Sequence, residues 1–230
     1  MKKILILGGS GFVGRSVCRL LSQKSYQVTV LTREQVHAPR LAKLSGMEFV
    51  QVSDFSVKTL APLVAGHDAV LNLIAILHGT EAAFEQVHVN LPAQLARACE
   101  QAGVRRLVHV SSLGAALNAP SMYQRSKARG EQVLKGAALD LTLLRPSVIF
   151  GENDQFLNMF AKLQKVFPVM PLAGSTARFQ PVWVEDVAKA VVHCLEDERT
   201  VGQTFELCGP EIFSLKQLVQ LAGFYRCRAR

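Results

Sequence analysis

The sequence lacks closely spaced cysteines, so it offers neither a disulfide framework nor a cysteine-based metal cluster. Its five cysteines are far apart, odd in number and free of any C-x-x-C pair: Cys18, Cys99, Cys194, Cys208 and Cys227. No histidine lies at the spacing of a zinc ligand, so no metal site is expected. Scattered, unpaired cysteines are typical of a reducing compartment, and we expect a cytoplasmic protein.

Long hydrophobic runs are also missing. The lysines at positions 2 and 3 and the apolar run after them imitate a signal peptide, but this run ends at Gly8 without a small-residue cleavage site. The stretch 69–77 is interrupted by Asn72 and is shorter than the ~20 residues that span a bilayer. We therefore expect no transmembrane segment.

Acidic residues are fewer than basic ones, with 18 Asp and Glu against 26 Lys and Arg, which gives a net charge of +8. The basic residues gather at 105–106, 125–129 and 226–230 without an aromatic-rich or helix-turn-helix signature. Nucleic-acid binding is therefore not expected. An anionic cofactor, an anionic membrane surface and a solvated basic face all fit this charge.

Short apolar, β-branched runs alternate with longer segments of helical period, which predicts an α/β protein with a doubly wound parallel sheet, that is, a Rossmann fold. Strands are predicted at 3–7, 27–31, 48–52, 69–73, 106–111 and 141–144, and helices at 12–24, 80–103 and 123–136. From about residue 150 prolines interrupt the chain, and helices at 185–196 and 214–223 flank a strand at 205–207. We assign residues 1–150 to the Rossmann domain and 151–230 to a small, interleaved substrate-side lobe.

A glycine-rich segment follows the first strand and opens the first helix, which is the context of a dinucleotide-binding loop. Residues 8–14 read Gly-Gly-Ser-Gly-Phe-Val-Gly. The tight turn needs a residue without Cβ, the middle glycine lets backbone N–H groups approach a pyrophosphate, and the last glycine permits close helix–strand packing. We predict an NAD(P) site that includes Gly8, Ser10, Gly11, Phe12, Val13 and Gly14.

The end of the second strand distinguishes the two nicotinamide cofactors. A carboxylate there binds the ribose 2′-hydroxyl of NAD(H), whereas an arginine accommodates the 2′-phosphate of NADP(H). Thr32 stands where the acid would be expected and Arg33 follows it, so NADP(H) is favoured over NAD(H). Because the acidic Glu34 comes next, NAD(H) remains an alternative cofactor. Arg33 is alternatively a plain surface cation.

A Ser-Ser pair and a Tyr-x-x-x-Lys motif carry the candidate chemistry. Ser111 and Ser112 follow the fifth strand, and Tyr123 and Lys127 share one face of a predicted helix. We expect the Lys127 ammonium to lower the pKa of Tyr123 toward neutrality and to reach the cofactor ribose. Ser112 would bind a substrate oxygen while Tyr123 passes a proton beside the hydride transfer. Alternatively, these residues only hold the cofactor.

Further candidates lie at strand ends, where ligands of a doubly wound sheet bind. Asp54, after the third strand, could accept a hydrogen bond from an adenine amino group, although an exposed loop aspartate is an equal alternative. Leu73 ends the fourth strand. Pro146 and Val148 close the sixth strand, where the backbone could line the nicotinamide, and a proline-bounded strand end is the alternative.

With these motifs in this order, the chain resembles the extended and atypical short-chain dehydrogenase/reductases, which are relatives of the nucleotide-sugar epimerases. More closely, four segments are similar to the bacterial relatives of the nucleotide-binding accessory subunit of respiratory complex I: 70–74, 108–115, 145–151 and 178–182. The resemblance implies that Gly8, Gly11, Gly14 and Arg33 hold NADP(H). It also implies that Ser111, Tyr123, Lys127 and the backbone of 146–148 line the nicotinamide side.

The resemblance leaves two classes of function open. One is an NADP(H)-dependent oxidoreductase or epimerase-like enzyme acting on a small alcohol, carbonyl or isoprenoid-quinone-related substrate. The other is a cofactor-holding structural, assembly or sensor module linked to a respiratory or ubiquinone-biosynthesis complex, peripheral to the inner membrane. The family further implies pairing of two copies through two helices. Since its members usually continue beyond the helix at 214–223, we expect the substrate-side lobe to be incomplete.

Overall fold

The structure is a computed structural model that describes residues 2–33, 44–152, 154–166, 172 and 174–228. Side chains are described for all of these except 165–166 and 224–228. Glu34, the acidic neighbour of Arg33 that leaves NAD(H) as an alternative cofactor, lies outside these ranges.

Seven strands form one parallel sheet, in the spatial order β10-β6-β5-β4-β1-β2-β3. In chain order the strands are β1 (Lys3–Leu7), β2 (Gln27–Thr32), β3 (Met47–Gln51), β4 (Ala69–Asn72), β5 (Arg106–Val110), β6 (Asp140–Pro146), β7 (Ile149–Phe150), β8 (Arg178–Phe179), β9 (Val182–Trp183), β10 (Thr204–Leu207) and β11 (Phe213–Ser214). The central strands are buried on both faces, and for this reason they read as continuous apolar runs rather than as alternating ones.

Helices connect the strands and cover both faces of the sheet. They are α1 (Phe12–Ser22), α2 (Val57–Val64), α3 (Glu81–Glu85), α4 (Leu91–Ala102), α5 (Met122–Lys135), α6 (Leu157–Val166), α7 (Val184–Glu196) and α8 (Leu215–Arg228). A π-helical turn, Gln86–Asn90, joins α3 to α4. Ser56, Thr80 and Ser121 cap α2, α3 and α5, because each side-chain oxygen accepts a backbone N–H of the first turn.

Two apolar cores lie on opposite faces of the sheet. Ile4 and Ile6 point to the face that α1 and α7 cover, whereas Leu5 and Leu7 point to the face that α2 and α4 cover. This alternation along one strand buries both sets of side chains almost completely. The doubly wound fold class is confirmed, and the six predicted strands and three predicted helices before residue 150 are present with ends shifted by at most two residues.

The chain after residue 150 contributes to two parts of the structure. Strand β10 pairs with β6 in the main sheet, and α7 packs against α1. The ladders β7–β9 and β8–β11 and the pair α6–α8 form the remainder. The predicted boundary at residue 150 stays a prediction. None of the helices in the described ranges is long and apolar enough to cross a membrane.

Candidate functional site

The turn after β1 has the backbone geometry that a dinucleotide loop needs. Gly8 has φ +82°, a left-handed conformation that favours glycine, and the Gly11 N–H donates to the Gly8 carbonyl over 3.1 Å. Helix α1 then begins at Phe12, with Gly11 as an N-cap that has no capping side chain. The first-turn N–H groups of α1 are thus free of side-chain caps, and together with the helix dipole they suit a phosphate group.

The three signature glycines contribute in different ways. A Cβ on Gly14 would lie 2.3 Å from the Gly8 carbonyl oxygen and 2.5 Å from the Gly9 backbone, so only glycine allows this approach of helix to turn. A Cβ on Gly11 would meet only the Gly8 oxygen, at 3.2 Å. The backbone of Leu73 borders the same turn, since a Cβ on Gly8 would lie 3.1 Å from its carbonyl carbon. The turn therefore forms a cradle that fits a pyrophosphate.

The ends of β2 and β3 hold the candidates for the adenosine end of the cofactor. Thr32 is buried and Arg33 is exposed, with the Arg33 carbonyl accepting from Gln51 Nε2 at 3.3 Å. The Asp54 carboxylate accepts from the Ser56 N–H at 2.8 Å and from Thr59 Oγ1 at 2.9 Å. Hydrogen bonds from Ser56 and Thr59 lower the pKa of this exposed group to about 2. Asp54 thus orders the start of α2, and its role toward adenine stays a prediction.

Two buried hydroxyl groups, those of Ser111 and Ser112, follow β5. The backbone of Ser111 is held by its N–H bond to the Leu144 carbonyl at 2.7 Å. Within the described residues, the Oγ atoms of Ser111 and Ser112 are buried and have no hydrogen-bond partner. A buried polar group without a partner costs roughly 1–3 kcal/mol. Two such hydroxyl groups side by side are therefore suited to form hydrogen bonds with a ligand.

Lys127 is the largest charged side chain in the interior. It lies on α5, is 1% exposed, and donates from Nζ to the Val110 carbonyl at 2.9 Å. Burial lowers the pKa of Lys127 to about 8, although the negative charge of Glu131 partly opposes this shift. Among the described residues Val110 is its only hydrogen-bond acceptor, so two of the three ammonium N–H groups are available to a ligand.

The predicted lowering of the Tyr123 pKa by Lys127 is wrong for this structure. Burial raises the pKa of Tyr123, and the neighbouring Ser112 hydroxyl opposes part of the rise while lacking the geometry of a hydrogen bond. Desolvation penalises the phenolate more than the neighbouring groups stabilise it. The phenol is therefore protonated near neutral pH.

An ion pair fixes α5 to the strand that ends at Pro146. Arg145 Nε and Nη2 donate to the two carboxylate oxygens of Glu131 at 2.9 and 2.6 Å, and Glu131 is 2% exposed. The Pro146 and Val148 carbonyls accept from the Leu113 and Val182 N–H groups at 2.8 and 2.9 Å. Both carbonyls thus take part in the backbone framework, and their place at the nicotinamide stays a prediction.

Two buried histidines lie close to Lys127, and sequence reasoning assigned neither of them to the site. His109 on β5 accepts from Asn72 Nδ2 at 3.1 Å, and His88 lies in the π-helical turn. Burial and the positive charge of Lys127 lower the pKa of both. Spacing in the sequence could have indicated that His88 is buried, because it follows Phe84 by four residues and lies on the apolar stripe that continues to Leu91.

These geometries define a nucleotide-binding site of the Rossmann type. The chain matches the family described as NAD(P)H-binding over residues 8–198, and it belongs to that family. It is similar to the NADH dehydrogenase [ubiquinone] 1 alpha subcomplex subunit 9, mitochondrial, of Arabidopsis thaliana, with 34% identity over 227 residues that cover 94% of this chain and 56% of that protein. The chain thus spans a little over half the length of this relative.

Two further similarities extend this picture. A ceramide reductase of Caulobacter vibrioides is 30% identical over 214 residues, which cover 88% of this chain and 67% of that protein. Among solved structures, a dTDP-glucose 4,6-dehydratase from Streptomyces venezuelae with NAD bound superposes with a TM-score of 0.85 at 20% identity, covering 95% of this chain and 79% of that one. At this identity the structural match establishes the fold, which is that of the epimerase/dehydratase proteins.

Proposed function

We propose that this chain is an NADP(H)-dependent oxidoreductase of the short-chain dehydrogenase/reductase type, or an epimerase-like relative, with Ser112, Tyr123 and Lys127 as its proton-handling set. The observation that supports it is the polar cluster that follows β5. There the Ser112 hydroxyl, buried and without a hydrogen-bond partner among the described residues, adjoins the half-buried Tyr123 phenol, and the buried Lys127 donates to the Val110 carbonyl. Packing alone does not call for such a cluster, because burying it costs stability. When bound, the nicotinamide nucleotide supplies hydride chemistry.

Residues of the chain itself would bind the cofactor and the substrate and would donate the proton. The glycine turn and the start of α1 would hold the pyrophosphate, and Lys127 would donate to the ribose hydroxyl groups. The Ser112 hydroxyl would bind the substrate oxygen. Because the raised pKa keeps Tyr123 protonated, its hydroxyl is suited to donate a proton to an oxygen that gains negative charge, which is the direction of carbonyl reduction.

Single-turnover kinetics with NADPH and a panel of aldehydes, ketones and quinones tests the enzyme proposal. We expect oxidation of NADPH by at least one member of the panel, and a fall of about 10²-fold or more in rate for Tyr123→Phe with NADPH binding retained. Tyr26→Phe is the matched control, since Tyr26 is a half-buried tyrosine whose hydroxyl donates to Glu196 at 2.8 Å, far from the site. Equal rates in Tyr123→Phe and wild type would reject the role of Tyr123.

The preference for NADP(H) over NAD(H) rests on Arg33. The exposed guanidinium directly follows β2, beside the buried Thr32, so that no carboxylate stands at this strand end in the described residues. A charge-assisted contact with a 2′-phosphate is worth about 1.5–3 kcal/mol, so Arg33→Ala should weaken NADPH binding roughly tenfold or more and leave NADH binding unchanged. Arg105→Ala is the control, because Arg105 is exposed and precedes the amino end of β5, whereas Arg33 follows the carboxyl end of β2. Equal loss for both cofactors would reject the 2′-phosphate role.

The second candidate is a cofactor-holding module without turnover, attached to a respiratory or ubiquinone-biosynthesis complex at the inner membrane. It is supported by the relatives named as NADH dehydrogenase subunits. The ceramide reductase relative supports the enzyme instead. NADPH that binds tightly and is oxidised by no member of the panel would favour the module, and co-purification of the full chain with membrane-bound respiratory subunits would then be its test.

A further inference from the structure

His88 connects two segments of the site through three hydrogen bonds. Its Nε2 accepts from the Ile76 N–H at 3.1 Å, in the loop that follows β4. Its Nδ1 lies 2.8 Å from Ser126 Oγ, and Ser126 Oγ donates to the Tyr123 carbonyl at 2.7 Å. Since Ile76 donates to Nε2, the neutral ring must carry its proton on Nδ1 and donate it to Ser126. Each of these polar groups, from the Ile76 N–H to the Tyr123 carbonyl, then has a hydrogen-bond partner.

The His88 ring also contacts Tyr123, the proposed proton donor. Its centroid is 5.4 Å from that of Tyr123 at an interplanar angle of 82°, and Phe84 stacks on it at 5.4 Å. Phe84 meets Tyr123 edge-on as well, at 6.1 Å. Two aromatic rings thus pack against the Tyr123 ring in edge-to-face geometry.

The backbone around His88 is held as closely as its side chain. A Cβ on Gly130 of α5 would lie 1.9 Å from the His88 carbonyl oxygen, so the π-helical turn and α5 touch through their backbones. His88 itself is 2% exposed. Turns of π-helix within α-helices are often found at functional sites. The turn here presents His88 to the helix that carries both Tyr123 and Lys127.

The surroundings keep His88 uncharged. Burial and the Lys127 ammonium on α5 lower the pKa of His88 to about 3. The titratable groups His109 on β5 and Tyr123 on α5 also face this cluster, and burial lowers the pKa of His109 as well. A neutral ring is what the hydrogen-bond chain requires, because protonation of Nε2 would break the bond from Ile76.

We propose that His88 is a positioning residue, which ties the loop after β4 to α5 through Ile76 and Ser126 and thereby fixes the orientation of the Tyr123 ring. This inference rests on the proposed function, in which Tyr123 is the proton donor. A leucine or phenylalanine would fill the same space but could not hold both polar partners. The polar connection, rather than the volume, is the property that the experiment must isolate.

The first measurement needs neither cofactor nor substrate. Long-range ¹H–¹⁵N spectra of the full chain labelled with ¹⁵N-histidine report the tautomer of each histidine, and His88→Gln identifies the signals of His88. We expect a neutral ring with its proton on Nδ1 throughout pH 5–8. A proton on Nε2, or titration of His88 within this range, would overturn the inference.

The second measurement follows the Tyr123 ring. 3-Fluorotyrosine incorporated into the full chain labels Tyr26, Tyr123 and Tyr225, and Tyr123→Phe assigns the resonance of interest. Line width is the criterion, because any change in a neighbouring ring moves the chemical shift. We expect a single narrow Tyr123 line in wild type and in His88→Gln, whose amide can both accept from Ile76 and donate to Ser126, and a broadened or split line in His88→Leu.

Two controls separate positioning from general loosening of the fold. His67 precedes β4 and also makes two contacts, with Thr29 Oγ1 at 3.0 Å and the Val64 carbonyl at 3.3 Å, so His67→Leu removes a comparable histidine outside the site. It should leave the Tyr123 line narrow. If His88→Leu does not fold, Ser126→Ala breaks the same connection and should broaden the line. A Tyr123 line that stays narrow in the folded variant would refute the proposal.

Turnover provides the third measurement. With any carbonyl that wild type reduces, kcat should fall about tenfold or more in His88→Leu and stay within about threefold in His88→Gln, while the NADPH dissociation constant changes less than about threefold in both. Equal kcat losses in the two variants would refute the positioning role. If wild type reduces no carbonyl, the proposed enzyme function fails, whereas the tautomer and the line width still decide whether His88 positions Tyr123.

Discussion

The glycine loop allows folding and cofactor binding to be separated by two single substitutions. In Gly14→Ala the new Cβ would lie 2.3 Å from the Gly8 oxygen and 2.5 Å from two backbone atoms of Gly9. Those atoms are backbone and cannot rotate away, so the cost should reach the upper end of the 1–3 kcal/mol that is typical of overpacking. Alanine gains about 1 kcal/mol over glycine within a helix. We therefore expect a net loss of about 2 kcal/mol in the free energy of unfolding.

Gly11→Ala should have the opposite profile. Its Cβ meets one oxygen at 3.2 Å, so the turn must give by only a few tenths of an ångström. The cost is then mainly the poorer N-cap, about 0.5–1 kcal/mol. The same methyl group projects into the cradle at the start of α1, so NADPH binding should weaken by at least tenfold. Gly136→Ala is the control, since its Cβ makes ordinary contacts at 3.5 and 3.6 Å.

Urea unfolding monitored by circular dichroism gives the stability of each variant, and fluorescence titration with NADPH gives the affinity. We expect Gly14→Ala to lose stability, Gly11→Ala to lose affinity at near wild-type stability, and Gly136→Ala to change neither. A Gly14→Ala protein within about 0.5 kcal/mol of wild type would refute the packing argument. Unchanged NADPH affinity in Gly11→Ala would refute the placement of the pyrophosphate at this turn.

Three further predictions concern buried charge. Folding lowers the pKa of Lys127 from 10.5 to about 8, so between these two pH values the unfolded chain binds one more proton and the free energy of unfolding rises with pH. At pH 7 the buried ammonium therefore costs about 3 kcal/mol of stability. In urea unfolding, Lys127→Met should be more stable than wild type, and it should not bind NADPH tightly. His88, with its pKa lowered to about 3, should make wild type lose about 1 kcal/mol per pH unit below pH 6.5, because the unfolded chain binds the proton first; this slope should be smaller in His88→Gln. Arg145→Met leaves the buried Glu131 without its closest partner and should lower the free energy of unfolding, measured in urea, by about 3 kcal/mol. Adding Glu131→Leu should restore most of this loss, and stability losses that simply add in the double variant would contradict the pairing.

Local patterns were sufficient for most of the fold. The run Ile4–Leu7 and the glycines after it predicted a buried strand, a tight turn and a helix start, and all three are present. These features depend on neighbours in sequence, through backbone conformation and side-chain period. The π-helical turn at 86–90 was not predicted. In it the His88 backbone lies against Gly130, which is 42 positions further along the chain, and no local pattern reveals such a contact.

The sequence by itself determined the fold class and the glycine turn, and it singled out Ser112, Tyr123 and Lys127 as the proposed set, because each of these depends on short-range spacing. Only the tertiary structure decided the electrostatics of that set. Spacing on one helix face suggested that Lys127 lowers the pKa of Tyr123, but burial raises it and leaves Lys127 bonded to the Val110 carbonyl. Desolvation depends on everything that surrounds a group, and those surroundings come from distant segments of the chain. For the same reason the place of His88 beside Tyr123 became visible only once the elements were packed.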